Sequence, residues 1–129
     1  MDIQVVENRE SLYAGLPQKH KTLTQESVNE AFSYHNMPRT SVKKYLVYEF
    51  NGGHNLRNYN LTRDLFGYIA NDTICVVEIY AGGRRELQVK LIQWIVNYSM
   101  AKKLPISIRT LSLEDQNFFN DVRNNMRKK

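Results

Sequence analysis

Residues 64–90 constrain the fold of this chain more than any other stretch. They read as a strand, a tight turn at Asn71-Asp72, a second strand, a glycine break at Gly82-Gly83 and the start of a long helix. The second strand, Thr73 to Ala81, is apolar on both faces. Cys75, Val77 and Ile79 fall on one side and Ile74, Val76 and Tyr80 on the other, which predicts a central strand covered on both sides. Each strand also carries one acid in an apolar setting: Asp64 beside Leu65, Phe66, Tyr68 and Ile69, and Glu78 in the middle of the second. An ionised carboxylate is costly to bury unless it is paired or bound to a cation, so both positions call for a partner.

The rest of the chain supplies layers around that unit. Ile3 to Val6 predicts a short strand, followed by a loop to residue 21 that contains Gly15 and Pro17. Thr22 and Gln25 form a capping box for a helix over residues 23–35. Val28, Phe32 and His35 share its inner stripe, and Pro38 stops it. Val42 to Phe50 is a strand by composition, closed by Asn51-Gly52-Gly53 and followed by a polar connection over residues 54–60. A helix over 84–103 has a wide apolar stripe through Leu87, Leu91, Trp94, Ile95 and Tyr98, and Leu104-Pro105 ends it. A strand over 106–111 should return parallel to its predecessor, because a crossover helix separates the two. A last helix over 113–127 buries Phe118, Phe119 and Val122. The core order is α-β-β-β-α-β-α with an extra strand in front: an α/β fold with a small mixed sheet flanked by helices. A chain of 129 residues supports one domain, with an N-terminal strand and loop (1–21) and a core (22–127).

Charge and cysteine content narrow the partners. A net charge of +5 favours a polyanion, so nucleic acid is the expected partner. The single cysteine, Cys75, excludes an internal disulfide and a Cys-based zinc site and points to a reducing compartment: the cytoplasm, or the host-cell cytoplasm for a viral protein. The first ten residues are too charged for a secretory signal, and no run reaches 18 apolar residues, so no membrane partner is expected.

Three successive strands each contribute an acid: Glu49, Asp64 and Glu78. Neighbouring strands lie about 5 Å apart, so these acids converge if register and facing agree. Converging carboxylates repel, and a hard divalent cation, Mg²⁺ or Mn²⁺, offsets that repulsion with oxygen ligation. Held there, the ion activates a water and neutralises charge on a scissile phosphate. His35 is a candidate nitrogen ligand. Arg57, Arg63, Lys44, Arg84 and Arg85 are the cations placed to meet nucleic-acid phosphates.

The core order, with Asp64, then thirteen residues, then Glu78 in Val77-Glu78-Ile79, resembles the PD-(D/E)XK nuclease superfamily. That superfamily includes Holliday-junction resolvases, many restriction enzymes and the cap-snatching endonucleases of segmented negative-strand RNA viruses. The resemblance covers residues 24–125. It implies a restriction-endonuclease-like fold, a metal-dependent nuclease acting on DNA or RNA, and Asp64 and Glu78 as catalytic metal ligands. His35 and Glu49 match the additional histidine and acid of the cap-snatching group. The motif departs from the family at two places: Arg63 stands where proline is usual, and Tyr80 stands where a lysine is common. The resemblance makes Lys90, on the following helix, the replacement cation, with Arg84 or Arg85 second. The alternative is a decayed, catalytically impaired site on a retained fold. By analogy with relatives of this size, the resemblance also implies a homodimer.

Other readings account for the same residues. Glu78 can pair with Arg63 or Lys44 for structure alone, Glu49 can be a solvated strand-end charge, and His35 can be a satisfied core histidine. Strand, Gly82-Gly83-Arg84-Arg85 and helix also resemble the acetyl-CoA half of GNAT acyltransferases, in which glycine-rich amides hold a pyrophosphate. Glu78 would then be a general base, although Glu86 and Gln88 occupy the places of the usual glycines. A third reading is a non-enzymatic module of a phage or mobile element that binds nucleic acid or a host protein. Tyr45, Tyr48, Tyr59 and Tyr68 would stack on bases beside Lys43, Lys44, Arg57 and Arg63.

Overall fold

Asn71 and Asp72 both adopt left-handed backbone, with φ of 53° and 56°. Two such residues in succession make the tight turn whose twist matches a β-hairpin, and they join β3 (Leu65–Ala70) to β4 (Thr73–Ile79). The computed structural model describes residues 4–11, 42–51 and 64–128 of the chain. Around the hairpin it places β1 (Gln4–Ser11), β2 (Val42–Asn51), α1 (Arg85–Lys102), β5 (Ile106–Ser107) and α2 (Leu113–Arg127). The described strands form a sheet in the order β1-β2-β3-β4-β5. β2, β3 and β4 are an antiparallel meander, with β1 parallel to β2 on one edge and β5 parallel to β4 on the other. The protein is a small α/β fold with a mixed sheet, as the element order predicts. The helix expected over residues 23–35 and the connection over 54–60 lie outside the described residues.

Two strand boundaries differ from expectation. β1 extends to Ser11, through Glu7, Asn8, Arg9 and Glu10, where a loop was expected from the polar sequence. The parallel ladder to β2 runs from Gln4↔Lys44 to Ser11↔Asn51, and an edge strand tolerates polar side chains because backbone pairing holds it. β5, expected to run to residue 111, stops at Ser107. The chain then turns, with the Leu111 amide donating to the Ile108 carbonyl at 3.0 Å, and Leu111 goes into the core. The parallel direction of β5 is as expected.

The core lies between the sheet and the two helices. Leu46, Leu65, Ile74, Val76 and Ile79 meet Leu91, Ile92 and Ile95 of α1 and Phe119 and Val122 of α2. Each fully buried Leu, Ile or Phe contributes about 1.5–3 kcal/mol. α1 ends at Lys103, whose φ of 57° is the left-handed cap, and Ser99 donates its hydroxyl to the Leu104 carbonyl just before Pro105. α2 starts at Ser112, whose Oγ accepts from the Asp115 amide at 3.2 Å. No helix among the described residues is long and apolar enough to cross a membrane.

Candidate functional site

The ladder between β3 and β4 is not regular, and its irregularity builds the site. From the turn, Ala70↔Thr73, Ile69↔Ile74, Tyr68↔Cys75 and Gly67↔Val76 pair in step; then the register shifts and Phe66 pairs with Glu78, Leu65 with Ile79. Val77 is the extra residue of a β-bulge. Because side chains alternate along a strand, one inserted residue reverses which face every later side chain occupies. Before the bulge Ile74 and Val76 face the helices, and after it Ile79 does, all three in one core cluster. Strict alternation would put Ile79 with Cys75 and Val77, as the sequence pattern predicts. The bulge corrects that assignment and places Glu78 beside Phe66, on the face away from α1 and α2.

Gly67 makes the bulge possible. A Cβ there would lie 2.4 Å from the Cys75 carbonyl oxygen and 3.2 Å from Val76 Cα, so only glycine lets β4 approach β3 this closely. The Val76 carbonyl accepts from Thr110 Oγ1 at 2.9 Å, which anchors β4 beyond the end of β5.

Asp64 precedes β3 and is held from both sides. Its amide donates to the Tyr48 carbonyl at 3.2 Å, and its carbonyl accepts from the Tyr80 amide at 2.6 Å. Asp64 therefore lies across from Tyr80. It lies at a bend two residues before Phe66, the partner of Glu78. If strand alternation continues through the bend, Asp64 and Glu78 are diagonal neighbours on one face, about 7–8 Å apart along the backbone, a span two carboxylates can bridge through one ion. Asp64 is 0% exposed, and Glu78 is half-buried with its Oε2 closed to solvent. Tyr80, in the place of the motif lysine, is half-buried across from Asp64.

The other expected site residues are distributed differently. Glu49 belongs to β2 at a register position opposite Arg9 of β1. His35, Arg57 and Arg63 lie outside the described residues. Lys44 pairs with Ile69 and shares its strand face with Leu46, on the helix side of the sheet. Lys90 is exposed on α1, which packs on that same side. Arg84 pairs with Glu86 at 2.8 Å. Arg85 reaches Asp115 and Glu114, both at 3.0 Å, and covers the Phe118 ring at 4.4 Å. The acidic first turn of α2 thus compensates the cation at the start of α1 and ties the two helices together. Among the described residues no three His, Cys, Asp or Glu side chains form a group able to hold a metal.

The glycine turn closes on itself. The Gly83 amide donates to the Tyr80 carbonyl at 2.9 Å and the Arg84 amide to the Ala81 carbonyl at 3.0 Å, so both are spent within the turn.

Arg109 is a cation that sequence reasoning did not single out. It lies near the Tyr68 hydroxyl and favours its ionised form, against burial and the neighbouring Cys75, which together push the hydroxyl above its ordinary value. Tyr68 is two residues from Phe66 on the same face of β3. The sequence signal available for the bulge was Gly67, an isolated glycine inside a strand. Comparison with family models, with curated proteins and with solved structures returned no match.

Proposed function

We propose that this protein is a metal-dependent phosphodiesterase of the restriction-endonuclease-like type, acting on DNA or RNA in the cytoplasm. The observation that carries the reading is the register shift at Val77, which puts Glu78 opposite Phe66, two residues from the buried Asp64. A bulge that redirects an acid out of the core and towards a second buried acid is a device common beside active sites.

The donor set fits a hard divalent cation. Mg²⁺ is typically held by one or two carboxylates, with water and substrate phosphate completing its shell, so two acids suffice. Asp64 and Glu78 would hold the ion, with Glu49 and His35 as proposed additions. When bound, the ion supplies an activated water and neutralises charge on the phosphate. Asp64, fixed by backbone bonds to β2 and β4, sets the position of the site, and Glu78 gives it the second charge. The half-buried Tyr80 limits water at the place where the family pattern has lysine. Arg109, whose charge acts on the Tyr68 hydroxyl, is proposed for the phosphate-facing role that the resemblance gives to Lys90.

The test is Mn²⁺ titration by calorimetry on the parent, Asp64→Ala and Glu78→Ala, with a thermal melt and a nuclease assay on each. The expected result is binding and metal-dependent cleavage in the parent, with both lost in the two variants while they still melt cooperatively. Folded protein that binds no Mn²⁺ overturns the reading, and retention of nucleic acid without metal in that case would support the non-enzymatic module.

A further inference from the structure

A second site lies away from the carboxylates, between the C-terminal halves of α1 and α2. There the helices and β5 line a half-open pocket of about 420 Å³, a size at which small-molecule sites begin. Its walls are apolar: Val96 and Met100 from α1, Ile106 from β5 and Met126 from α2. Two guanidinium groups one helical turn apart, Arg123 and Arg127, complete the lining.

These two cations are not neutralised within the described structure. Arg123 donates to Asn120 Oδ1 at 2.8 Å and rests on the Phe119 ring at 5.3 Å, contacts that orient the group without cancelling its charge. Burial, and then the nearby Arg127 charge, make its cationic form harder to hold, the condition that a bound anion relieves. The acids at the start of α2, Glu114 and Asp115, are engaged by Arg85 at the other end of the helix. No acidic residue lines the cavity among the described residues, which selects an anion over a cation. No aromatic ring lines it there either, so a stacked nucleobase has no platform. A second copy of this chain would bring a matching pair of arginines against the first, and like charges would oppose the contact.

We propose that this cavity binds an amphipathic organic anion of the fatty-acid class, with its hydrocarbon chain over Val96, Met100, Ile106 and Met126 and its carboxylate between Arg123 and Arg127. Methionine side chains adapt to a flexible chain, and arginine presents paired donors matched to a carboxylate. Gln93 and Asn97 on the facing helix add neutral amide donors at the wall.

The experiment is calorimetric titration of the intact chain with sodium decanoate below its micelle concentration, repeated with decanol. Saturable one-to-one binding of decanoate is expected, with decanol weaker by about tenfold or more, the scale of a lost charge-assisted contact. Arg123→Gln and Arg127→Gln should each weaken decanoate by about tenfold. Met100→Glu, at a position 60% exposed and therefore tolerant of a charge, should abolish binding with the thermal melt unchanged. Absence of saturable binding overturns the proposal. So does decanoate affinity that is the same in all three variants, which would mark adsorption elsewhere, and so does binding of an acidic amphipathic peptide at these residues with decanoate inert.

Discussion

The two halves of the β3–β4 hairpin obey different rules although they are one continuous ladder. Near the turn, Gly67 to Ala70 faces Thr73 to Val76 residue for residue, and Ile69, Ile74 and Val76 point into the helix layer. Beyond Val77 the pairing is offset by one, so Leu65 and Ile79 fill the core and Glu78 is on the face with Phe66. The first half alternates for packing. The second gains one residue and with it the freedom to keep Ile79 against the helices and Glu78 on the opposite face. A single inserted position serves both requirements, which no strictly alternating sequence through Val76, Val77, Glu78 and Ile79 would satisfy.

Giving the bulged residue a partner should be the most disruptive change. One residue inserted between Phe66 and Gly67 pairs with Val77 and restores strict alternation, so that Phe66 and Glu78 turn to the helix side and Leu65 and Ile79 away from it. Driving Glu78 into the layer of Leu91 and Ile95 leaves an unpaired buried charge, which costs about 3–5 kcal/mol, a large part of the roughly 5–15 kcal/mol of a small domain. The expected outcome is loss of the cooperative transition in thermal circular dichroism. An insertion variant that melts cooperatively within a few degrees of the parent would show that the bulge is dispensable and that the two halves do not differ in the way described.

This dependence on one residue explains what could be read from sequence and what could not. The strand, turn, strand and long-helix order of residues 64–103 was legible because apolar runs and the breakers Asn71-Asp72 and Gly82-Gly83 are local signals. α2 was legible to its ends, Leu113 and Arg127, from its periodicity. The facing of Glu78 was not legible, because the parity of a strand depends on its partner, and Gly67 announces a close approach without saying which residue opposite it is extra. β1 was truncated because Glu7 to Glu10 have no apolar pattern, and its order comes from a ladder to β2, which is distant in sequence. Arg85 had the same difficulty. A cation opening a helix looks misplaced until Glu114 and Asp115, from another helix, are seen beside it.

A smaller effect sharpens the comparison by separating two uses of glycine. Gly67→Ala places a Cβ at 2.4 Å from backbone that belongs to β4 and cannot rotate away. The strands must part, and a loss of about 2–4 kcal/mol in urea denaturation is expected, in the range of overpacked cores. Gly83 has φ of 78° and nothing within 4 Å of a built Cβ, so Gly83→Ala meets only backbone strain, about 1–2 kcal/mol. If the bulge organises the carboxylates, Gly67→Ala also weakens Mn²⁺ binding while Gly83→Ala leaves it intact. Equal losses of stability in the two variants would remove the close approach as the cause.

The smallest expected effect comes from the regular half of the hairpin, where Tyr68 faces Cys75. Burial first, and then the charge and hydrogen bond of Cys75, hold the Tyr68 hydroxyl above its ordinary value of 10.0, with Arg109 opposing them. A raised value in the folded state means that the native protein keeps this proton after the unfolded chain has lost it. The associated stability is complete below about pH 10 and is lost as pH rises through the folded value. Tyr68→Phe removes the titrating group, so its stability should fall less steeply than that of the parent as pH rises past the ordinary value of 10.0 in paired urea titrations. At pH 7 the variant should differ from the parent by less than about 1 kcal/mol, the scale of one partly exposed hydrogen bond. Parallel slopes for parent and variant above pH 10 would show that the hydroxyl does not sense its neighbours. The regular half of the ladder would then contribute packing alone, leaving all the polar chemistry of this face to the half beyond the bulge.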